Sequence, residues 1–255
     1  MISSKFKEKM KAGEPVIGVF VNIESPTTVE LLGLAGVDFV MVDAEHNTIE
    51  PSMAVHMFRA AEAIGVPALA RIGENTQQVI AKFMDAGCLG VMMPMVNSAD
   101  DADSLVDSIK YPPVGKRGLA SVRANRYGME NSSVDYVTAA NEATVVIAQI
   151  ETTAGIEHAE EIIAAENVDV IFLGPTDLSV ALGVPGQSKH QKVLDFIENI
   201  TKKITSAGKI SGTIARSPED YGYWRDRGVS FFLTGANALL GSATQAYVDG
   251  ARAIE

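Results

Sequence analysis

The chain has one cysteine, Cys88, in 255 residues. A disulfide framework and a Cys-based zinc or iron–sulfur centre are therefore excluded within one chain, and Cys88 is expected to pack as a small hydrophobe. Cationic residues are also scarce: 21 Lys and Arg stand against 32 Asp and Glu. The resulting net charge of −11 repels phosphate backbones and anionic lipid, so nucleic acid is not an expected partner. No run approaches the ~18 consecutive apolar residues that a membrane span needs. Residues 1–13 alternate Lys with apolar residues and lack a continuous apolar core. A soluble, cytoplasmic protein with no membrane partner is expected. G-x-G-x-x-G and Walker loops are missing as well, which removes the usual nucleotide-binding turns.

What is present is a rhythm. Apolar, β-branched runs occur at 16–21, 37–42, 66–70, 89–93, 144–150, 168–173, 209–213 and 229–233. Helix-period segments lie between them at 26–35, 51–64, 76–86, 99–109, 155–164, 191–207 and 218–227, and 237–254 follows the last strand. The tripeptides Ala35-Gly36-Val37, Ile64-Gly65-Val66, Ala86-Gly87-Cys88, Ala207-Gly208-Lys209 and Arg227-Gly228-Val229 each close a helix on Gly and enter a strand. Strands apolar on both faces belong to a parallel sheet covered by helices. Strict βα alternation without a break in composition predicts one (β/α)8 barrel domain over 1–255, with an extra C-terminal helix. The long connection 94–143 breaks the rhythm; its Gly, Tyr and Arg content suits either an ordered lid with cationic side chains or a subunit interface. Lys7, Lys9 and Lys11 are expected on a solvated helix face.

In such a barrel the residues after each strand's C-terminal end meet at one mouth. Those residues are Asp43, Glu45 and His46 after the second strand, Arg71 after the third, Glu151 after the fifth, Asp177 after the sixth and Gly235 after the eighth. Glu151 and Asp177 are hard oxygen donors of the number that Mg2+ prefers, with Mn2+ or Co2+ as substitutes. A 2-oxo acid such as pyruvate chelates such an ion, which then polarises the carbonyl. Arg71 is placed to hydrogen-bond the oxygen that gains charge on enolisation, and His46 suits an acid–base role. Gln149 and the Gly174-Pro175-Thr176 turn flank the pair and suit substrate binding, with backbone N–H groups for a carboxylate. No lysine ends a strand, which argues against a Schiff base. Other roles stay open: Asp177 as a helix N-cap, Arg71 as an ion-pair partner of Glu45 or Asp43. His56, His158 and His190 are read as ordinary loop or surface residues, Trp224 with Tyr221 and Tyr223 as helix packing, and Met92, Met93 and Met95 as core filling.

Phe39-Val40-Met41-Val42-Asp43-Ala44-Glu45-His46, Ala70-Arg71, Met92-Met93-Pro94-Met95-Val96, Tyr111-Pro112-Pro113-Val114-Gly115-Lys116-Arg117-Gly118, Gln149-Ile150-Glu151 and Gly174-Pro175-Thr176-Asp177-Leu178-Ser179 occur in this order. Together they resemble the HpcH/HpaI class II pyruvate aldolases over essentially the whole chain. The resemblance implies reversible, divalent-metal-dependent cleavage of 4-hydroxy-2-oxo acids to pyruvate and an aldehyde. It also implies metal binding by Glu151 and Asp177, enolate stabilisation by Arg71, and acid–base action of His46 through a water, supported by Asp43. Asp85 is implied to come from a neighbouring subunit, in a homo-hexamer that exchanges its last helix. Thr176 stands where many relatives have Ala, and Asn22, Ile23 and Glu24 fill a first loop that often carries small or hydroxyl residues. Glu24 would disfavour an acidic aldehyde, whereas Arg123 or Arg126 would favour one. Alternatives are an oxaloacetate decarboxylase, a CoA-ester lyase drawing on Arg123, Arg126 and Lys116, or a non-catalytic 2-oxo acid binding protein.

Overall fold

The structure, a computed structural model, describes residues 4–130 and 132–254; the ends of the expected 1–255 domain, with residue 131, lie outside the described residues. Eight parallel strands pair in sequence order and β8 closes on β1. They are β1 Val16–Val21, β2 Phe39–Asp43, β3 Ala68–Arg71, β4 Gly90–Met93, β5 Val145–Ile150, β6 Val170–Leu173, β7 Ile210–Ile214 and β8 Phe231–Gly235. The expected (β/α)8 barrel is therefore present. Several strands begin up to two residues later than their apolar runs, because the first residues after each helix complete the turn into the sheet.

The helices follow the same order. They are α1 Lys5–Lys11, α2 Pro26–Leu34, α3 Pro51–Ala63, α4 Gln77–Ala86, α5 Ala99–Ile109, α6 Ser133–Ala143, α7 Thr153–Glu157, α8 Ala159–Ala164, α9 Pro175–Ala181, α10 Gln191–Ser206, α11 Pro218–Arg225 and α12 Ala236–Arg252. Side chains of Ser25, Ser98, Thr152 and Ser217 cap α2, α5, α7 and α11 by accepting first-turn N–H bonds. Gly87, which closes α4, sits at φ +105°, a conformation costly for any residue with a Cβ. The expected helix 155–164 is two pieces, α7 and α8, that meet at His158.

Two large apolar cores result among the described residues, with a small third cluster of Tyr111, Tyr136 and Ala140. The outer one lies between sheet and helices, while the inner one fills the barrel with Phe20, Phe39, Met41, Leu69, Met92, Ile147, Phe172 and Phe231. Large and small residues alternate there: a Cβ on Gly18 would fall 2.3 Å from Phe39 Cζ, so Gly18 leaves the room that this ring fills. Inward positions recur every second residue. On β5 they run Val145, Ile147, Gln149 and then Glu151; on β2, Phe39, Met41 and Asp43; on β3, Leu69 and Arg71. The same periodicity that fills the barrel delivers the polar side chains to its mouth.

Phe6 and Met10 of α1 close the other end of the barrel. Of the lysines expected on a solvated face, Lys11 is exposed, but Lys7 is buried, and its Nζ donates to Thr144 O and to Asp169 Oδ2, each at 2.8 Å. Lys9 pairs with Asp38. The long connection is not a lid over the mouth. After α5 it stays at the α1 end, where Lys116 pairs with Asp107 and Arg123 donates to Ala86 O at the end of α4. Its unforeseen helix α6 packs Tyr136 against Tyr111, with ring centroids 5.9 Å apart.

Lys110 is buried in the same floor. It donates to Asn141 O, Thr144 O and Thr144 Oγ1. Burial and the charge of Lys7, with a smaller push from Lys11, lower its pKa from 10.5 to about 7 against the opposing pull of Asp169. Between these two values the unfolded chain binds a proton that the folded chain does not, so this group's contribution to stability increases as pH rises from about 7 to 10.5. Chemical denaturation of wild type and Lys110→Met across that window should show the wild-type stability gaining on the variant by about 1.4 kcal/mol per pH unit. A difference that does not change with pH would show that Lys110 keeps its proton in the fold.

Candidate active site

Asp43 and Arg71 are cross-strand neighbours at the C-terminal ends of β2 and β3. Their side chains form a bidentate ion pair, Nε to Oδ1 at 2.9 Å and Nη2 to Oδ2 at 2.8 Å. Asp43 also accepts from Glu45 N and from Asn47 Nδ2 at 3.1 Å, which fixes the loop after β2. The Arg71 guanidinium lies 4.3 Å from the centre of the Phe20 ring. Burial opposes its charge, yet the Asp43 bonds and the charges of Asp43, Glu45 and Glu151 hold its pKa above the ordinary value. Asp43 occupies two of the five guanidinium donors, so Arg71 is held in place with capacity to spare.

Glu45 stands beside this pair. Its Oε2 is 3.2 Å from Arg71 Nε and 3.6 Å from His46 Nε2, and it is buried without a hydrogen-bond partner. Burial raises the Glu45 pKa; Arg71 and His46 oppose this, and Asp43 and Asp177 add to it. The His46 side chain is 64% exposed and can meet a ligand from solvent.

Glu151, across the mouth, is buried. Its Oε1 accepts from Met95 N at 3.2 Å, and its Oε2 accepts a close hydrogen bond from Gln149 Nε2. Met95 adopts φ +49°, unusual for a residue with a Cβ, and this turns its N–H onto the carboxylate. Burial nevertheless pushes Glu151 up to about 7, and the charges of Asp177 and Glu45 reinforce the shift against the Gln149 and Met95 bonds. Asp177 lies in the first turn of α9, whose N-cap is Gly174 with Pro175 next. It is exposed and does not cap the helix, so capping does not account for it.

Carboxylates of Glu45, Glu151 and Asp177 thus influence one another with Arg71 as their buried cation. Buried acceptors Glu45 Oε2 and Gln149 Oε1 lack hydrogen-bond partners. Gly174 leaves the space beside them open: a Cβ there would fall 2.6 Å from Glu151 Oε2 and 3.0 Å from Gln149 Nε2. Buried hard oxygens without hydrogen-bond donors, beside the carboxylates of Glu151 and Asp177, fit a divalent cation. Among the described residues no group of three or more His, Cys, Asp or Glu forms a metal cage. Protein ligation would therefore rest on the carboxylate pair, Glu151 and Asp177, with water and substrate completing the shell.

A family model for the HpcH/HpaI aldolase/citrate lyase matches residues 16–240. The chain belongs to this family. It is 32% identical over 248 residues to a 5-keto-4-deoxy-D-glucarate aldolase of Shigella boydii, covering 96% of this chain and 95% of that one. It is also 32% identical over 245 residues to a 2-keto-3-deoxy-L-rhamnonate aldolase of Escherichia coli, covering 94% and 90%. The crystal structure of an HpcH/HpaI aldolase from Desulfitobacterium hafniense superposes with a TM-score of 0.91 at 29% identity, over 96% of each chain.

Of the expected residues, the HpcH/HpaI barrel brings Asp43, His46, Arg71, Gln149, Glu151, Gly174, Pro175, Thr176 and Asp177 to one mouth. Asp85 is elsewhere. It lies at the end of α4, on the α1 side of the barrel, where its Oδ1 accepts from Arg117 Nη2 at 2.7 Å and its side chain stays 34% exposed. Three contributors were missed from sequence. Phe20 is inward on β1, inside an apolar run that carries no polar signal. Met95 reads as core filling from sequence, yet its side chain is half-exposed and its backbone holds Glu151. Arg216, just past β7, donates to Thr176 Oγ1 at 3.1 Å and to Ser188 Oγ at 2.8 Å; reading the end of the seventh strand as the others were read would have found it.

Gly174→Ala tests the cradle. The added methyl has to displace Glu151 Oε2 or Gln149 Nε2, so calorimetric titration should show Mn2+ affinity about tenfold lower, ~1.4 kcal/mol, with the fold retained. Unchanged affinity would mean that the carboxylate in this position does not bind the ion.

Proposed function

We propose that this family member is a divalent-metal-dependent pyruvate aldolase, a lyase that cleaves 4-hydroxy-2-oxo acids reversibly to pyruvate and an aldehyde. The observation that carries this is the buried Glu151 carboxylate, pushed up to about 7 beside Asp177 and Glu45 and opposite a fixed Arg71. That charge pattern calls for a cation, and a 2-oxo acid is the small ligand that joins such a cation to an arginine.

Glu151 and Asp177 would hold Mg2+ or Mn2+, with Co2+ as a substitute. When bound, the metal supplies Lewis-acid polarisation of the 2-oxo group. The C4 hydroxyl gives up its proton, the C3–C4 bond breaks, and its electron pair passes into the pyruvate enolate as the aldehyde leaves. Protonation at C3 then yields pyruvate. Arg71, oriented by Asp43 and Phe20, donates to the oxygen on which charge develops, and being already in place it needs no reorganisation. His46, with Glu45 at 3.6 Å, moves the hydroxyl proton through a water. N–H groups of Thr176 and Asp177 open α9 and have no acceptor within the helix, which suits the substrate carboxylate. The Gln149 amide and Pro175 complete the floor of that subsite.

Relatives named for ketodeoxy sugar acids make these compounds the first substrates to try. Arg123 and Arg126 both pair with Glu62 at the opposite end of the barrel, which weighs against a CoA-ester lyase using them in this chain's own mouth. We include a cytoplasmic location and a homo-hexamer in the proposal. Leu239, Leu240 and Tyr247 are exposed along α12, as a helix exchanged between subunits would leave them in one chain, and Asp85 would then serve a neighbour's site. Among the described residues no helix is long and apolar enough to cross a membrane.

Pyruvate release from 2-keto-3-deoxy-L-rhamnonate and 5-keto-4-deoxy-D-glucarate should require added Mg2+ or Mn2+ and stop with chelator. Arg71→Lys should lower kcat by about 10²–10³-fold, since a point charge cannot keep both the Asp43 fork and the enolate contact. Chelator-resistant cleavage, or an Arg71→Lys enzyme of full kcat, would overturn the assignment.

A further inference from the structure

The end of the barrel opposite the mouth holds a cavity of about 470 Å3, beneath the entrances to β3 and β4. This is within the usual volume of a small-molecule site. Phe6, Phe58 and Met84 form apolar wall, and Arg117, Arg123 and Arg126 bring cationic groups to it. Glu62 is the only carboxylate among the described lining residues, in a chain whose net charge is −11.

Arg117 marks the polar end. It is buried at 3% exposure and its guanidinium lies 4.7 Å from the centre of the Tyr111 ring. Nη2 donates to Asp85, but Nε is buried with no hydrogen-bond partner. Buried charged donors are rarely left unpaired. Arg123 is anchored by Ala86 O and Glu62, and Arg126 by Glu62, so these two shape the rim while Arg117 keeps unused donor capacity. Neither the metal pair nor Arg71 touches this space. Ala68 lines it and Arg71 reaches the mouth from the other end of the same strand, about 10 Å away at the ordinary rise per residue.

We propose that this cavity binds a small organic carboxylate with an apolar body: the carboxylate on Arg117, the body against Phe6, Phe58 and Met84. It is a second ligand site, separate from the Glu151, Asp177 and Arg71 mouth of this chain, and binding needs no turnover.

The test is a ligand-observed NMR titration of the full, Mg2+-loaded protein with 3-phenylpropionate, using 3-phenylpropan-1-ol as the neutral match. Saturable binding of the acid is expected, about tenfold or more tighter than the alcohol and not displaced by excess pyruvate. Arg117→Lys, which keeps a cation for Asp85, and Val66→Trp, which fills the space without removing a charge, should each weaken it about tenfold. Val66→Trp carries the test alone if Arg117→Lys does not fold. Displacement by pyruvate would place the ligand in the mouth; this, equal binding of acid and alcohol, indifference to both variants, or no binding would overturn the proposal. A protein that fails to cleave oxo acids can still be scored by this titration, so the two readings fail separately.

Discussion

Carboxylates crowded at one end of a barrel are the constraint on which the rest of the site depends. Burial raises the pKa of both Glu45 and Glu151, and the charge of Asp177 adds to each shift. Arg71 opposes the shift of Glu45 only in part, because Asp43 already engages its fork. Burial, with the charges of Asp177 and Glu45 behind it, pushes Glu151 up to about 7 against the hydrogen bonds from Gln149 and Met95. A divalent cation held by Glu151 and Asp177, as proposed, would favour the charged form of both.

The barrel makes this crowding possible at low structural cost. Side chains alternate inward and outward, so the strands that bury Phe39, Leu69 and Ile147 deliver Asp43, Arg71, Gln149 and Glu151 one or two steps later. The packed aromatic layer below keeps these polar groups on rigid backbone. At the far end, α1 and the 110–128 connection seal the barrel with a different set of buried charges, Lys7, Lys110 and Asp169. Catalytic and floor electrostatics are thereby separated by the apolar interior.

Much of this was legible in the residues. Eight strands and the Gly-closed helices were readable because apolar runs and αβ turns are local signals, and the carboxylate pair was readable because strand ends meet at one mouth. The HpcH/HpaI resemblance added the supporting role of Asp43 and the role of Asp85 that spacing alone does not assign. What was illegible is long-range. Lys7 resembles a solvated helix residue until Asp169 and Thr144 are brought to it from the sheet. The 94–143 connection reads as either a lid or a subunit interface by its Gly, Tyr and Arg content, and Glu62 and Ala86 tie its arginines to the rim opposite this chain's mouth. Met95 contributes through a backbone N–H, which its side-chain identity does not advertise.

The most direct test of the central claim is exchange of the pyruvate C3 protons in D2O, followed by NMR on chelator-stripped protein with and without Mg2+ or Mn2+. It isolates enolate formation from any choice of aldehyde. The arrangement of Glu151, Asp177 and Arg71 predicts exchange that depends on added metal and is lost in Glu151→Gln and Asp177→Asn. Absence of exchange with every metal, or full exchange in those two variants, would contradict it.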